Sequence, residues 1–273
     1  MSIDWAEGRG RIEAGGKSLE WQSWGMPKAD TPVIVMLHEG LGSVGLWREF
    51  PAAVAESTGC AVVAYSRAGY GFSDPAERPF PVDYMTREAV EVLPEVLRAI
   101  GAAQYILLGH SDGATITAEY AGRVKDFSIR GLILIAPHFF AEPMGLAAIA
   151  SAAESFATTD LPQRMARYHA DAEATFRGWN EAWLNPEFAT WNVADVIDYI
   201  RIPALVIQGA QDQYGTRAQV DAIAEGSYAP VEVLMLDDCQ HAPHLEDPTP
   251  VLEAIAGFTT RLQRIEAAGP VPA

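Results

Sequence analysis

Apolar and polar positions follow two patterns that take turns along the chain. Short unbroken runs of Val, Ile and Leu, each closed by turn residues, stand at 32–38 (PVIVMLH), 60–66 (CAVVAYS), 104–111 (QYILLGHS) and 129–137 (IRGLILIAP). A run that is apolar at consecutive positions predicts a strand buried on both faces. Between these runs the spacing turns helical. Over 82–100, Tyr84, Met85, Ala89, Val92, Val96, Leu97 and Ile100 fall on one face. Strand alternating with helix predicts an α/β fold built on a doubly wound, mostly parallel sheet with helices on both faces.

The same alternation resumes at 204–209 (ALVIQG), with a helix near 216–226, a strand at 231–237 (VEVLMLD) and a last helix near 249–264. Near the start, RGRIEAGG and KSLEWQSWG alternate more strictly and meet at Gly15-Gly16, a hairpin signal. About eight strands are therefore expected. The interval 138–200 breaks the rhythm, being long, helix-patterned and rich in rings that include Trp179, Trp183, Phe188 and Trp191. Ordinary connections are far shorter. The expected layout is a core domain at 1–137 and 201–265, an inserted helical cap at 138–200 roofing a pocket, and a disordered tail at 266–273.

Charge narrows the range of partners. Nineteen Lys and Arg against 36 Asp and Glu leave a formal net charge of −17 over 273 residues. Such a surface repels phosphate backbones and anionic lipid, so neither nucleic acid nor a membrane is an expected partner. The N-terminal residues lack a basic and apolar leader pattern, and the expected location is cytoplasmic. Cys60 and Cys239 each sit in or beside an apolar run and are read as small core residues, although sequence leaves their pairing open. Oligomeric state is not fixed by the pattern, and a homodimer stays open.

The candidate chemistry sits at strand ends. Gly109-His110-Ser111-Asp112-Gly113 links the strand at 104–111 to a helix-competent segment, the G-x-S-x-G arrangement in which a nucleophile rides a tight, strained turn. A serine there could instead merely cap the helix. A serine hydroxyl needs a base in reach and an acid to orient that base. With this turn the acid follows a later strand and the histidine follows the last one. Asp212 stands directly after 204–209, and His241 is the first histidine after 231–237. Asp212 could alternatively cap the next helix, with Asp195, Asp237 and Asp238 as substitutes. His244 competes with His241 and is read as a supporting neighbour, because Pro243 intervenes. His241 and His244 lack the spacing and companions of a metal pair, so no metal and no cofactor are expected. An oxyanion needs two backbone N–H donors. One is assigned to Asp112 and the other to Gly40, in the loop His38-Glu39-Gly40-Leu41-Gly42-Ser43.

These landmarks, with Trp47, Gly209-x-x-Asp212 and His241-x-x-His244-x-Glu246-x-Pro248, together resemble the α/β-hydrolase superfamily nearly end to end. The resemblance is nearest to its capped branch of small esterases, carbon–carbon bond hydrolases, haloalkane dehalogenases and epoxide hydrolases. It implies Ser111 as nucleophile, Asp212 as acid, His241 as base, and the amides of Gly40 and Asp112 as oxyanion hole. Dehalogenases and epoxide hydrolases carry Asp where this chain has Ser111, which disfavours both activities. The family usually has His-Gly where this chain has His38-Glu39. The expectation is a cofactor-independent serine hydrolase acting on a small or medium carboxylic ester or related carbonyl compound. A carbon–carbon bond hydrolase or a non-catalytic ligand-binding receptor are the rivals. Glu39, His38, His110, His244, Trp183 and Trp191 are the candidates for support or substrate contact.

Overall fold

The computed structural model describes residues 2–268 of the 273. Eight strands form one sheet: β1 Arg9–Ala14, β2 Lys17–Trp24, β3 Val33–Leu37, β4 Val62–Tyr65, β5 Tyr105–His110, β6 Ile129–Ile135, β7 Ala204–Gly209 and β8 Val231–Leu236. Their spatial order is β1-β2-β4-β3-β5-β6-β7-β8. The β1–β2 and β2–β4 pairings are antiparallel and the rest parallel. Gly15 and Gly16, both at positive φ, close the β1–β2 hairpin with Ala14 opposite Lys17. The strand count and the hairpin match the sequence pattern.

The central strands are apolar at every position because each face of the sheet has its own core. Val33, Val35 and Leu37 pack to one side with Leu107, Leu132, Leu134 and Val206. Ile34, Met36, Ile106, Leu108, Ile133 and Ile207 pack to the other. Two-residue periodicity sends neighbours to opposite faces, so both sets must be hydrophobic. The second face is covered by α1 (Phe50–Thr58) and a long C-terminal helix through Val54, Val251, Ile255 and Phe258.

The first face receives the segment 84–100, seen as α2 (Tyr84–Arg87), a π-helical turn (Glu88–Val92) and α3 (Leu93–Ile100). Sequence predicts one unbroken helix here. Pro94 explains the difference, since it cannot donate to the preceding turn and its ring crowds that turn's carbonyl, so the backbone widens upstream. The helix α4 (Asp112–Arg123) follows β5 on the same face.

Between β6 and β7 lie α5 (Pro143–Thr158), α6 (Leu161–Met165), α7 (Ala172–Trp183) and two 3-10 turns, Pro186–Thr190 and Ala194–Tyr199. Their rings pack on one another, Phe156 on Phe176 at 4.0 Å and Trp183 on Phe188 at 4.4 Å between centroids. After β7 come α8 (Arg217–Gly226), α9 (Pro243–Glu246) and α10 (Pro248–Ala268). The tail expected to be disordered from 266 is helical as far as Ala268, a direct continuation of α10, and its remaining residues lie outside the described ones. Cys60 and Cys239 are buried and free, which removes the pairing that sequence left open. No helix among the described residues is long and apolar enough to cross a membrane.

Candidate active site

Parallel strands all point their C-terminal ends the same way, so the loops after β3, β5, β6, β7 and β8 converge on one edge of the sheet. Those loops carry Glu39 and Gly40, Ser111, His138, Asp212 and His241 respectively. A cavity of about 300 Å³ opens there. Its walls include Ser111, His241, Gly40, Asp112, Glu39 and His110 from the sheet edge, and Leu146, Ile149, Trp179 and Trp183 from the inserted segment.

Ser111 joins β5 to α4 with φ 54° and ψ −119°, in the left-handed region that costs a non-glycine residue strain. Its own N–H donates to the Ile135 carbonyl at 2.9 Å. The flanking glycines are dictated by contact. A Cβ at Gly109 would stand 2.2 Å from the Gly113 carbonyl oxygen, and one at Gly113 only 2.0 Å from that of Leu37. Strand and helix can therefore close this turn only with glycine at both positions.

Asp212 sits behind His241, buried, with every oxygen engaged. Its Oδ2 accepts from His241 Nδ1 at 2.8 Å and from Gln208 Nε2 at 2.8 Å, and its Oδ1 accepts from the Tyr214 N–H at 2.8 Å. Burial works to raise its pKa, yet the His241 hydrogen bond and charge, helped by that N–H, hold it below the usual carboxylate range. With Nδ1 occupied by the carboxylate, His241 keeps Nε2 for the cavity. The backbone of His241 is held as well. Its carbonyl accepts from His110 Nε2 at 2.8 Å, while Glu246 accepts the N–H groups of Gln240 and Ala242 at 2.7 and 3.0 Å.

The loop after β3 is fixed from behind. His38 donates Nδ1–H to the Glu39 carbonyl at 2.7 Å and accepts the Arg67 N–H at Nε2, 3.1 Å away. Burial and the Arg67 guanidinium push its pKa well below the ordinary value, so it stays neutral. His169, from the inserted segment, donates Nε2–H to the Leu41 carbonyl at 3.0 Å. Gly40 is left with an N–H that donates to no group among the described residues. The Trp179 ring lies against it so closely that a Cβ there would meet Nε1 at 2.1 Å.

Glu39 turns inward and lines the cavity, with Oε2 3.5 Å from His110 Nδ1. Burial works to raise its pKa, but the facing His110 imidazole holds it well below the usual range. Asp112 carries the second assigned oxyanion amide. Its buried carboxylate accepts from the Tyr84 hydroxyl, which in turn accepts from Trp183 Nε1 at 3.0 Å. Burial pushes the Asp112 pKa up, against Arg67, whose guanidinium is 3.9 Å away.

Three candidates stand outside the wall. His244 packs edge-on against His110 at 4.6 Å between centroids and touches Trp47 and Phe50, and burial drives its pKa well down. Trp191 is packed behind Trp183 on Phe188 and does not line the cavity, which leaves it the supporting place of the two expected for it. His38 likewise acts from behind the loop. Conversely, Trp179, Tyr214, Glu142 and His138 line the cavity without having been singled out. His138 was within reach of sequence reasoning, because it opens the loop after β6 just as Ser111 closes that of β5.

A family model described as the alpha/beta hydrolase family matches residues 34–254. The chain belongs to this family. Serine hydrolase BPHL of Mus musculus is 37% identical over 73 residues, 27% of this chain and 24% of that protein. Epoxide hydrolase 3 of Xenopus tropicalis is 29% identical over 108 residues, 39% of this chain and 28% of that one. The chain thus spans about a quarter of the length of the curated relatives it matches. The enol-lactonase from Burkholderia xenovorans LB400 superimposes with a TM-score of 0.71 at 19% identity, covering 92% of this chain and 100% of that one, a likeness of fold.

Proposed function

We propose that this alpha/beta hydrolase is a serine hydrolase that transfers acyl groups to water from a small carboxylic ester, with Ser111, His241 and Asp212 as its triad. The observation that carries the reading is the 2.8 Å hydrogen bond from His241 to a buried Asp212, in a protein whose strained serine turn lines the same cavity as that histidine. Ser111 Oγ attacks the ester carbonyl as His241 Nε2 takes its proton. The carbonyl electrons move to an oxyanion held by the Gly40 and Asp112 amides. Collapse breaks the bond to the alcohol, which leaves with the proton from His241. Water then attacks the acyl-serine by the same route and frees the acid. Asp212 holds the imidazole in the tautomer this requires. The segment 138–200 acts as a cap, supplying the apolar wall that excludes water and sizes the acyl or alcohol group.

Labelling with a fluorophosphonate, followed by peptide mapping, tests the reading. Modification at Ser111, and its loss together with ester turnover in Ser111→Ala, are expected. The residual rate of Ser111→Ala should be ~10³–10⁶-fold below the parent. A folded Ser111→Ala protein that keeps a tenth of the turnover would refute it. Absence of labelling would point to the ligand-binding alternative, and cleavage of a 1,3-dicarbonyl compound in preference to esters would point to carbon–carbon bond hydrolysis.

A further inference from the structure

The cavity is chemically one-sided. Glu39, Asp112, Glu142 and Glu246 all line it, and no lysine or arginine among the described residues does. Arg67, the guanidinium nearest to the nucleophile turn, lies behind the wall with its nitrogens on the carbonyls of His38 and Glu39. His138 adds no charge at neutral pH, since burial and the neighbouring His241 push its pKa down to about 4.

Three of the four carboxylates are already engaged, Asp112 by the Tyr84 hydroxyl. Glu142 accepts from the N–H and hydroxyl of Thr216 and from Gln219 Nε2, all at 2.7–2.9 Å. Glu246 is spent on the His241 loop. Glu39 has a single side-chain partner, the His110 imidazole 3.5 Å from its Oε2, and keeps 29% exposure toward the cavity. Beside it the Trp179 ring covers Gly40, while Trp183 and Tyr214 present further rings to the same space. Trp183 is fixed in orientation by its bond to Tyr84. A second polar group is also available, because the ring nitrogens of His138 have no hydrogen-bond partner among the described residues, although the residue is only 5% exposed and lines the wall.

From this arrangement we infer that the site selects acyl compounds carrying an ammonium or alkylammonium group, held by the Glu39 carboxylate and the rings of Trp179 and Trp183. The inference rests on the acyl-transfer reading of the same cavity. An ammonium leaving water needs an opposite charge and polarisable rings, and this cavity is lined by both. A carboxylate-bearing substrate would meet uncompensated negative charge. A neutral one would gain only apolar contact.

Three butyrate esters of similar size separate these cases: the choline ester, its carbon isostere the 3,3-dimethylbutyl ester, and the ester of 3-hydroxypropanoate. In the parent protein kcat/KM should rank cation, neutral, anion, with steps of about tenfold for a charge pair at a partly buried site. Glu39→Gln should bring the cation-to-neutral ratio close to one, and Trp179→Leu should lower it several-fold. The free alcohols, choline against 3,3-dimethylbutanol, should protect Ser111 from a neutral fluorophosphonate in the same order, a readout that needs no turnover. A neutral ester handled as well as the cation, or a ratio unmoved by Glu39→Gln, overturns the inference. Neither result touches the acyl-transfer reading, which is judged separately by the effect of Ser111→Ala on the neutral ester.

Discussion

The two sides of the cavity are built in different ways. On the sheet side, close backbone approach and directed hydrogen bonds do the holding: Ser111 is locked by glycines with no room for a methyl group, and Asp212 and the His241 loop are tied by hydrogen bonds of 2.7–3.0 Å. On the inserted side, packing of apolar side chains does most of it. Leu146, Ile149, Trp179 and Trp183 rest on a cluster of rings, and the Asn180 amide, donating to the Ile149 carbonyl at 2.9 Å, links α7 to α5. Positions fixed by backbone tolerate almost no substitution, whereas packed side chains can be exchanged at a modest cost. On the proposed function, the sheet side holds the reacting groups, while substrate choice is shared between Glu39 on that side and the rings opposite.

The largest break of this contrast is expected at the base. His241→Ala should match Ser111→Ala, with turnover down ~10³–10⁶-fold and little change in Tm. His244→Ala should leave most of the turnover while losing about 1–3 kcal/mol of stability, because the ring it removes packs on Trp47, Phe50 and His110 rather than reaching the cavity. Paired kinetics and urea melts of the two variants decide it, and the reverse order would shift the base to His244.

Gly113→Ala comes next. Its Cβ has no space beside the Leu37 carbonyl oxygen, so strand and helix must separate, at about 1–3 kcal/mol or more. A lowered Tm together with lost labelling at Ser111 is expected. A normal Tm would show that the turn can relax.

Asp212→Asn should slow turnover by about 10²–10⁴-fold, less than loss of the serine, since its role is to orient and support the imidazolium. It also has a pH signature. The folded pKa of Asp212 lies below its ordinary value, so its contribution to stability is complete above the unfolded carboxylate pKa and is lost as pH falls through the folded one. The stability difference between parent and Asp212→Asn should accordingly shrink on acidification below about pH 4, read from urea midpoints. A difference independent of pH would separate the carboxylate from its partner.

The smallest effects on chemistry belong to the inserted side. Trp183→Ala should change KM and the order of preference across an ester chain-length series more than kcat. Trp191→Ala, one layer further back, should cost stability with a nearly unchanged preference order. If both variants rank the esters alike, the ring of Trp183 is packing and not a wall of the site.

Sequence alone determined the sheet, because strands covered on both faces must be apolar at every position and no other pattern gives them that environment. It also placed Ser111, Asp212 and His241 at one edge of the sheet, since each lies within a few residues of a strand end and the parallel topology does the rest. Where local chemistry bent the chain, as Pro94 does in the helix over 84–100, the departure stayed local. Tertiary structure decided what depended on distant elements. Glu39 faces the cavity because His110, 71 positions away, stands opposite it. Trp179 reaches the wall and Trp191 does not, although both are tryptophans in one aromatic segment, because the direction of a helical side chain is set by what α7 and the 3-10 turns pack against. Periodicity tells which residues are buried, and only the packed partners tell which of the buried ones meet the substrate.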